Sequence, residues 1–187
     1  MPVPLTEQAQ TLMRKHIVCG DVVIDATAGN GYDTLLLAER VGKTGKVFAF
    51  DNQITAIESA RARLIQAGLD QQVTWLGHGH EEMAQHISNS LHGRIKAIMF
   101  NLGYLPCGAK SHTTQKASTL AALEQACTLL SPGGVLSIVA YTGHPGGRDE
   151  TEAIKQWAMT CTKARTDITI PESKNNNAPE WVVLYKD

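Results

Sequence analysis

The chain has 187 residues, 43% hydrophobic and 19% charged, the usage of an ordinary globular domain and not of a disordered or fibrous protein. Lys and Arg total 17 against 18 Asp and Glu, so a net charge of −1 advertises no polyanionic partner, though it leaves a nucleic-acid substrate open. At this length a chain buries roughly 70% of its unfolded surface, so one domain over 1–187 is expected, with a core that needs neither disulfide nor structural metal.

The opening segment MPVPLTEQAQ has no charged start followed by an apolar run, so no secretory signal is expected. Cys19, Cys107, Cys127 and Cys161 form no C-x-x-C pair, which fits a reducing cytoplasm. Asp, Lys, Gly or Gln interrupts every apolar stretch, so no membrane span is expected. Basic residues recur in pairs, Arg14-Lys15, Arg61 with Arg63, Arg94 with Lys96 and Lys163 with Arg165; each reads first as a solvated face, and a folded chain could gather some of them on one face.

From residue 22 onward, short β-rich runs alternate with stretches of helical spacing. Strands are predicted at 22–26, 47–51, 73–77, 96–101, 135–141, 167–170 and 181–186. Between them, Ile57, Ala60, Leu64 and Ala67, then Leu120, Leu123, Cys127 and Leu130, then Ile154, Trp157 and Cys161 mark apolar helix faces. Gly68 and the run Ser131-Pro132-Gly133-Gly134 are predicted to end the first two of these helices. Near-continuous apolar strands such as Ala97-Ile98-Met99-Phe100 imply a seven-stranded, mainly parallel, doubly wound α/β sheet covered on both faces. Pro171 to Pro179 is too short and turn-rich for a crossover helix, so the last two strands are predicted to form an antiparallel hairpin.

The first strand runs into Asp25-Ala26-Thr27-Ala28-Gly29-Asn30-Gly31-Tyr32-Asp33, a strand, a tight turn and a helix start, at the edge where open α/β sheets bind nucleotides. Gly29 and Gly31 let the backbone approach a ligand closely. The third small residue of a dinucleotide fingerprint is replaced by Thr34, and Asn30 and Asp33 add polar side chains, which argues against a pyrophosphate. Asp51 ends the second strand 22 residues after Gly29, where a carboxylate accepts hydrogen bonds from both hydroxyls of a ribose, with Asn52 and Gln53 beside it.

These motifs resemble those of the S-adenosylmethionine-dependent class I methyltransferases, which implies a Rossmann-like fold and S-adenosylmethionine as cofactor, with Asp25 near its methionine end. After the fourth strand, Asn101-Leu102-Gly103-Tyr104 is similar at both ends to the Asn-Pro-Pro-Tyr run of nitrogen-directed members and departs at both prolines. An amine attacking a sulfonium methyl must aim its lone pair along the carbon–sulfur axis. The Asn101 side-chain oxygen and the Leu102 carbonyl are the acceptors expected to orient its N–H groups, and Tyr104 would stack on the attached base.

Phe100 to Pro106, with Gly29 to Thr34 and Asp51 to Gln53, resembles a family of small bacterial proteins labelled rRNA methylases, associated with methylation of the 5-aminomethyl group of 2-thiouridine at the tRNA wobble position. The resemblance implies Asn30, Asp33, Asp51, Gln53, His80 and Glu81 as cofactor contacts, and the tRNA anticodon region as partner. Two positions depart from the family's usual residues, Tyr32 in place of His and Gly79 in place of Ser.

His112 and His144 follow the fourth and fifth strands and are candidates to contact substrate or take a proton. Tyr141-Thr142-Gly143-His144 opens a glycine-rich loop suited to receive a nucleotide, and Asn177 to Glu180 is a turn that could line the same site. His78-Gly79-His80-Glu81 supplies two histidine ligands and no Cys or Asp cluster to complete a zinc set, so no metal is expected.

The reading is an RNA N-methyltransferase making 5-methylaminomethyl-2-thiouridine. Against it stand a small-molecule or protein N-methyltransferase, an rRNA methyltransferase, a nicotinamide-dependent oxidoreductase and a non-catalytic adenosine-binding module. A homodimer that widens the RNA surface is a further expectation.

Overall fold

In a computed structural model of the chain, residues 3–103, 114–162, 164–169 and 178–187 are described. Chain order gives α1 (Leu5–His16), β1 (Val22–Asp25), α2 (Tyr32–Val41), β2 (Lys46–Phe50), α3 (Ile54–Gln66), β3 (Val73–Leu76), α4 (Met83–His86), β4 (Ile95–Leu102), α5 (Lys116–Leu129), β5 (Leu130–Ala140), α6 (Gly147–Thr160), β6 (Ala164–Thr169) and β7 (Glu180–Lys186). All seven predicted strands are present, within a few residues of the expected bounds.

The strands form one sheet in the order β3-β2-β1-β4-β5-β7-β6. The first five run parallel, and β7 is antiparallel to both β5 and β6. The expected hairpin is therefore formed, but its second strand inserts between β5 and β6. Alternation along the strands divides the core between two faces. Ile24, Phe50, Ile98, Phe100 and Ile138 pack under α4, α5 and α6, with Met83, Leu123 and Ile154. Val23, Val47, Ala97, Met99 and Val139 pack under α1, α2 and α3, with Met13, Leu37 and Leu64.

Two elements differ from expectation. Helix α1 was not anticipated, because its buried stripe is only Leu5, Ala9 and Met13 among polar neighbours; it is held by packing across β4, β5, β7 and α2. Ser131 to Gly134 was expected as a turn, yet it lies inside β5. Between the Ile95–Leu130 and Ala97–Val135 pairs, β4 advances two residues while β5 advances five, so the Pro-Gly-Gly run bulges out of the ladder. Leu130, expected on the helix, starts that strand. Gly68 ends α3 as predicted, at φ +71, with Leu69 N–H donating to Leu64 C=O at 2.9 Å.

Candidate active site

The carboxyl ends of β1, β2, β3 and β4 open into a cavity of about 710 Å³, within the range of small-molecule sites. Its floor is the turn after β1. Asp51 joins that turn to the end of β2: Oδ2 accepts the Gly29 N–H at 2.9 Å and Oδ1 accepts the Gln53 N–H at 2.9 Å. Each oxygen keeps a lone pair for a ligand hydroxyl. Gly31 caps α2 at φ +78, and a Cβ there would lie 2.7 Å from the Ala60 Cβ and 2.8 Å from the Ala60 Cα, so only glycine lets α2 and α3 meet.

Asn30, Asp33, Asp51, Gln53, His80, Glu81, Asn101 and Tyr141 line the cavity together with Gly29. Gly31 supports this wall from behind. Asp25 does not line it. Only 1% exposed, its carboxyl lies under the turn, where Thr34 Oγ1 donates to Oδ2 at 2.6 Å and the Thr27 N–H to Oδ1 at 3.2 Å. Burial, and next the charge of Asp33, push its pKa up to about 7. The expected contact with the methionine end of a cofactor is thus corrected to a supporting role, since its oxygens are committed to the turn.

Leu102 is not among the lining residues: its side chain is buried, and its carbonyl accepts the Tyr141 N–H at 2.9 Å in the continuation of the sheet, which leaves one lone pair. His144 is buried against Gly147 and does not line the cavity, because the loop folds its ring back onto the start of α6. Tyr104 and His112 lie outside the described residues.

Beside the turn, a half-buried polar chain links three elements. Gln10 of α1 donates from Nε2 to Asp33 Oδ1 at 2.8 Å, and Asn101 donates from Nδ2 to Asp33 Oδ2. The Asn101 N–H donates to Thr27 Oγ1 at 2.7 Å, fixing the end of β4 to the turn. With its amide nitrogen held by a carboxylate, Asn101 keeps Oδ1 buried and without a partner among the described residues. Asp33 has its pKa raised by burial, the Gln10 and Asn101 hydrogen bonds opposing that rise.

On the opposite wall, His80 stands edge-on to Phe100 at 5.6 Å, and its buried Nε2 also lacks a partner among the described residues. Burial lowers its pKa, so the neutral ring is favoured. At the mouth, Tyr32 is 63% exposed, with the Arg63 guanidinium 3.8 Å over its ring and Arg63 Nε donating to Asn30 C=O at 2.9 Å.

Sequence reasoning missed Thr6 and Gln10, because α1 itself was not foreseen, and Thr114, Gln115 and Ser118 at the start of α5. It also missed Glu150, 2% exposed, which accepts from Thr114 Oγ1 at 2.8 Å and Thr119 Oγ1 at 2.5 Å and holds that rim. A polar residue at a strand's carboxyl edge signals itself in sequence; one brought there by a distant helix does not.

The donor set fits S-adenosylmethionine. Asn101 Oδ1 and His80 Nε2 are buried without a partner among the described residues, which leaves them free to pair with polar groups of a ligand, and the carboxylates of Asp33, Asp51 and Glu81 on the lining suit a ligand carrying an ammonium and a sulfonium.

Comparison with known proteins places this geometry. A model of the family described as "Putative rRNA methylase" matches residues 47–186, a span that begins after the glycine turn. The chain is 42% identical over 158 residues to a protein of Arabidopsis thaliana named chloroplastic tRNA (mnm(5)s(2)U34)-methyltransferase, covering 80% of this chain and 57% of that one. The chain thus spans little more than half the length of that curated relative. Among solved structures, a protein of Clostridium thermocellum described as "putative rRNA-methylase" matches with a TM-score of 0.94 and 34% identity over 100% of both chains. A protein of Streptococcus mutans described as "a putative methyltransferase", solved in complex with SAH, matches with a TM-score of 0.87 and 30% identity, over 100% of this chain and 99% of that one. The fold is that of the class I methyltransferases.

Proposed function

We propose, because the chain belongs to the rRNA methylase family, that it is an S-adenosylmethionine-dependent methyltransferase acting on an amine nitrogen of RNA. The substrate we assign is the 5-aminomethyl group of 2-thiouridine at the tRNA wobble position, giving 5-methylaminomethyl-2-thiouridine; the name of the Arabidopsis relative supports that choice. The observation that carries the reading is the Asn101 carboxamide on the cavity lining, whose nitrogen is held by Asp33 and whose buried oxygen has no partner among the described residues.

S-adenosylmethionine supplies an electrophilic methyl group on a positively charged sulfur. Asp51 would take the ribose hydroxyls, with Gly29, Asn30, Gln53, His80 and Glu81 around the adenosine and Asp33 nearer the reacting end. Asn101 Oδ1 accepts one N–H of the incoming amine, which leaves the nitrogen lone pair directed across the cavity. The amine must arrive neutral, and a pocket that excludes water and disfavours its charged form promotes proton loss to solvent. As the N–C bond forms the C–S bond breaks with its electrons on sulfur, and the methylated nitrogen then releases a second proton. Tyr141 at the rim would wall in the base, the role that the Asn-Leu-Gly-Tyr resemblance implies for Tyr104.

We read the chain as one domain working in the reducing cytoplasm, in keeping with the free Cys19, Cys127 and Cys161; no helix of the described residues is long and apolar enough to cross a membrane. A homodimer remains part of this proposal as the way to widen the RNA surface.

The test is nucleoside mass spectrometry after incubation of the purified protein and S-adenosylmethionine with tRNA carrying 5-aminomethyl-2-thiouridine. Conversion to a nucleoside one methyl heavier is expected. Asn101→Ala should bind cofactor nearly as well and transfer slowly, whereas Asp51→Ala should lose cofactor affinity. No conversion by protein shown to bind the cofactor would refute the substrate, and equal loss of binding in both variants would refute the division of roles.

A further inference from the structure

At the rim of the cavity, where His78 joins the lining, the stretch from the end of β3 through α4 brings together three side chains that the proposed methyl transfer does not use. His78, Glu82 and His86 each offer a ligand atom, and the three atoms lie within 4.8 Å of one another. Glu82 Oε2 lies 3.7 Å from His78 Nδ1 and 3.7 Å from His86 Nε2, and the two imidazole rings stack with centroids 3.7 Å apart.

A separation of 3.7 Å is too long for a hydrogen bond between these groups. It is close to the edge of a tetrahedron of ligands at about 2.0–2.1 Å from a central ion, roughly 3.4 Å. We infer that His78 Nδ1, Glu82 Oε2 and His86 Nε2 form a binding site for a divalent metal of the zinc class, with the fourth position open to water.

The ligand chemistry selects the ion. Two imidazole nitrogens and one carboxylate oxygen suit zinc, cobalt or nickel; magnesium and calcium require oxygen ligands, and the cluster holds no thiol among the described residues to favour a softer ion. The backbone beneath the site is fixed from the core side. Gln125 of α5 accepts the Ala84 N–H at 2.7 Å and donates to the Glu81 carbonyl, and the Met83 side chain is fully buried. With the main chain held, the two Glu82–histidine separations need to close by only a few tenths of an ångström, and the two histidine nitrogens, within 4.8 Å of each other, are brought to the ion by side-chain torsions. Their side chains are 42%, 41% and 26% exposed for His78, Glu82 and His86, which leaves an entry path for the ion. His80, between them in sequence, turns inward beside Phe100 and takes no part. The bound ion would tie down the stretch that carries His80 and Glu81 into the cavity.

The experiment titrates cobalt(II) into tag-free, metal-stripped protein and follows the visible absorption of a tetrahedral cobalt site, with zinc(II) as competitor. One equivalent should saturate at micromolar concentration, and zinc should displace it. His78→Ala, Glu82→Gln and His86→Ala should each weaken binding by more than about tenfold, since losing a ligand costs more than losing an outer partner. His16→Ala, at the far end of α1 and paired with the Leu12 carbonyl, should bind as the parent does. Zinc should also raise the melting temperature of the parent by several degrees and leave that of His86→Ala unmoved. Absence of the absorption band, binding only at millimolar metal, or a band that survives in all three ligand variants would overturn the site.

Discussion

Replacing Gly31 by alanine separates backbone strain from steric contact at the floor of the cavity. Gly31 sits at φ +78, and a left-handed conformation costs a non-glycine residue about 1 kcal/mol. Its new Cβ would also meet Ala60 of α3, at 2.7 Å from the Cβ and 2.8 Å from the Cα, where ordinary carbon contacts lie near 3.5–4.0 Å. Because one of those atoms is backbone, α2 and α3 must part by most of an ångström, an overpacking cost of about 1–3 kcal/mol. The sum, about 2–4 kcal/mol, is a large share of the roughly 5–15 kcal/mol that stabilises a typical domain. Gly68→Ala is the control: its φ of +71 is nearly the same, yet nothing lies within 4 Å of a Cβ there, so it carries strain alone. Urea unfolding of both variants should give a difference of about 1–3 kcal/mol, with Gly31→Ala the weaker, and cofactor affinity should fall only in Gly31→Ala. Adding Ala60→Gly should recover part of the loss and not all, since the Ala60 Cα at 2.8 Å remains. Equal destabilisation by the two single variants would refute the packing argument.

Asp25→Asn should change how stability depends on pH. The folded carboxyl titrates near 7 while the unfolded one ionises near 3.8, so the folded state holds a proton that the unfolded state has lost across that window. Wild-type stability therefore falls as pH rises from about 4 to about 7 and the loss is constant above; the asparagine variant should lack this slope and gain a few kcal/mol relative to wild type at pH 8, measured by urea unfolding. A wild type that gains stability over that window relative to the variant would contradict the sign. Gln10→Ala removes the α1 donor to Asp33 and loosens Asn101 at one remove, so kcat should drop about three- to tenfold while cofactor affinity holds; an unchanged kcat would exclude α1 from the site's machinery. The Cys127 thiol is pushed up to about 12 by burial and by the neighbouring Cys161, so alkylation near pH 8 followed by peptide mass spectrometry should label exposed Cys19 well before Cys127; equal rates would refute the placement.

Local chemistry carried much of this protein. Apolar runs with period-two burial, glycine where a chain must turn left-handed, and acids at strand ends are properties of a few adjacent residues, so the seven strands, the parallel sheet, the final hairpin and the lining by Asn30, Asp33, Asp51 and Asn101 were legible in the sequence. Tertiary contact decided what depends on partners far along the chain. Strand β7 reaches its place between β5 and β6 because both of its edges find ladders there, which no local pattern encodes. Ser131 to Gly134 reads as a turn until the pairing of β4 with β5 on both sides of it makes it a bulge. Asp25 looks like a ligand contact until its burial and the Thr34 hydroxyl are seen. The direction of the Asn101 carboxamide is set by Asp33, 68 residues away, and through it by Gln10 of α1. The sequence placed the chemistry at one edge of the sheet, and long-range packing decided which atoms face the cavity, because burial and hydrogen-bond partnership are settled only when the whole chain has closed.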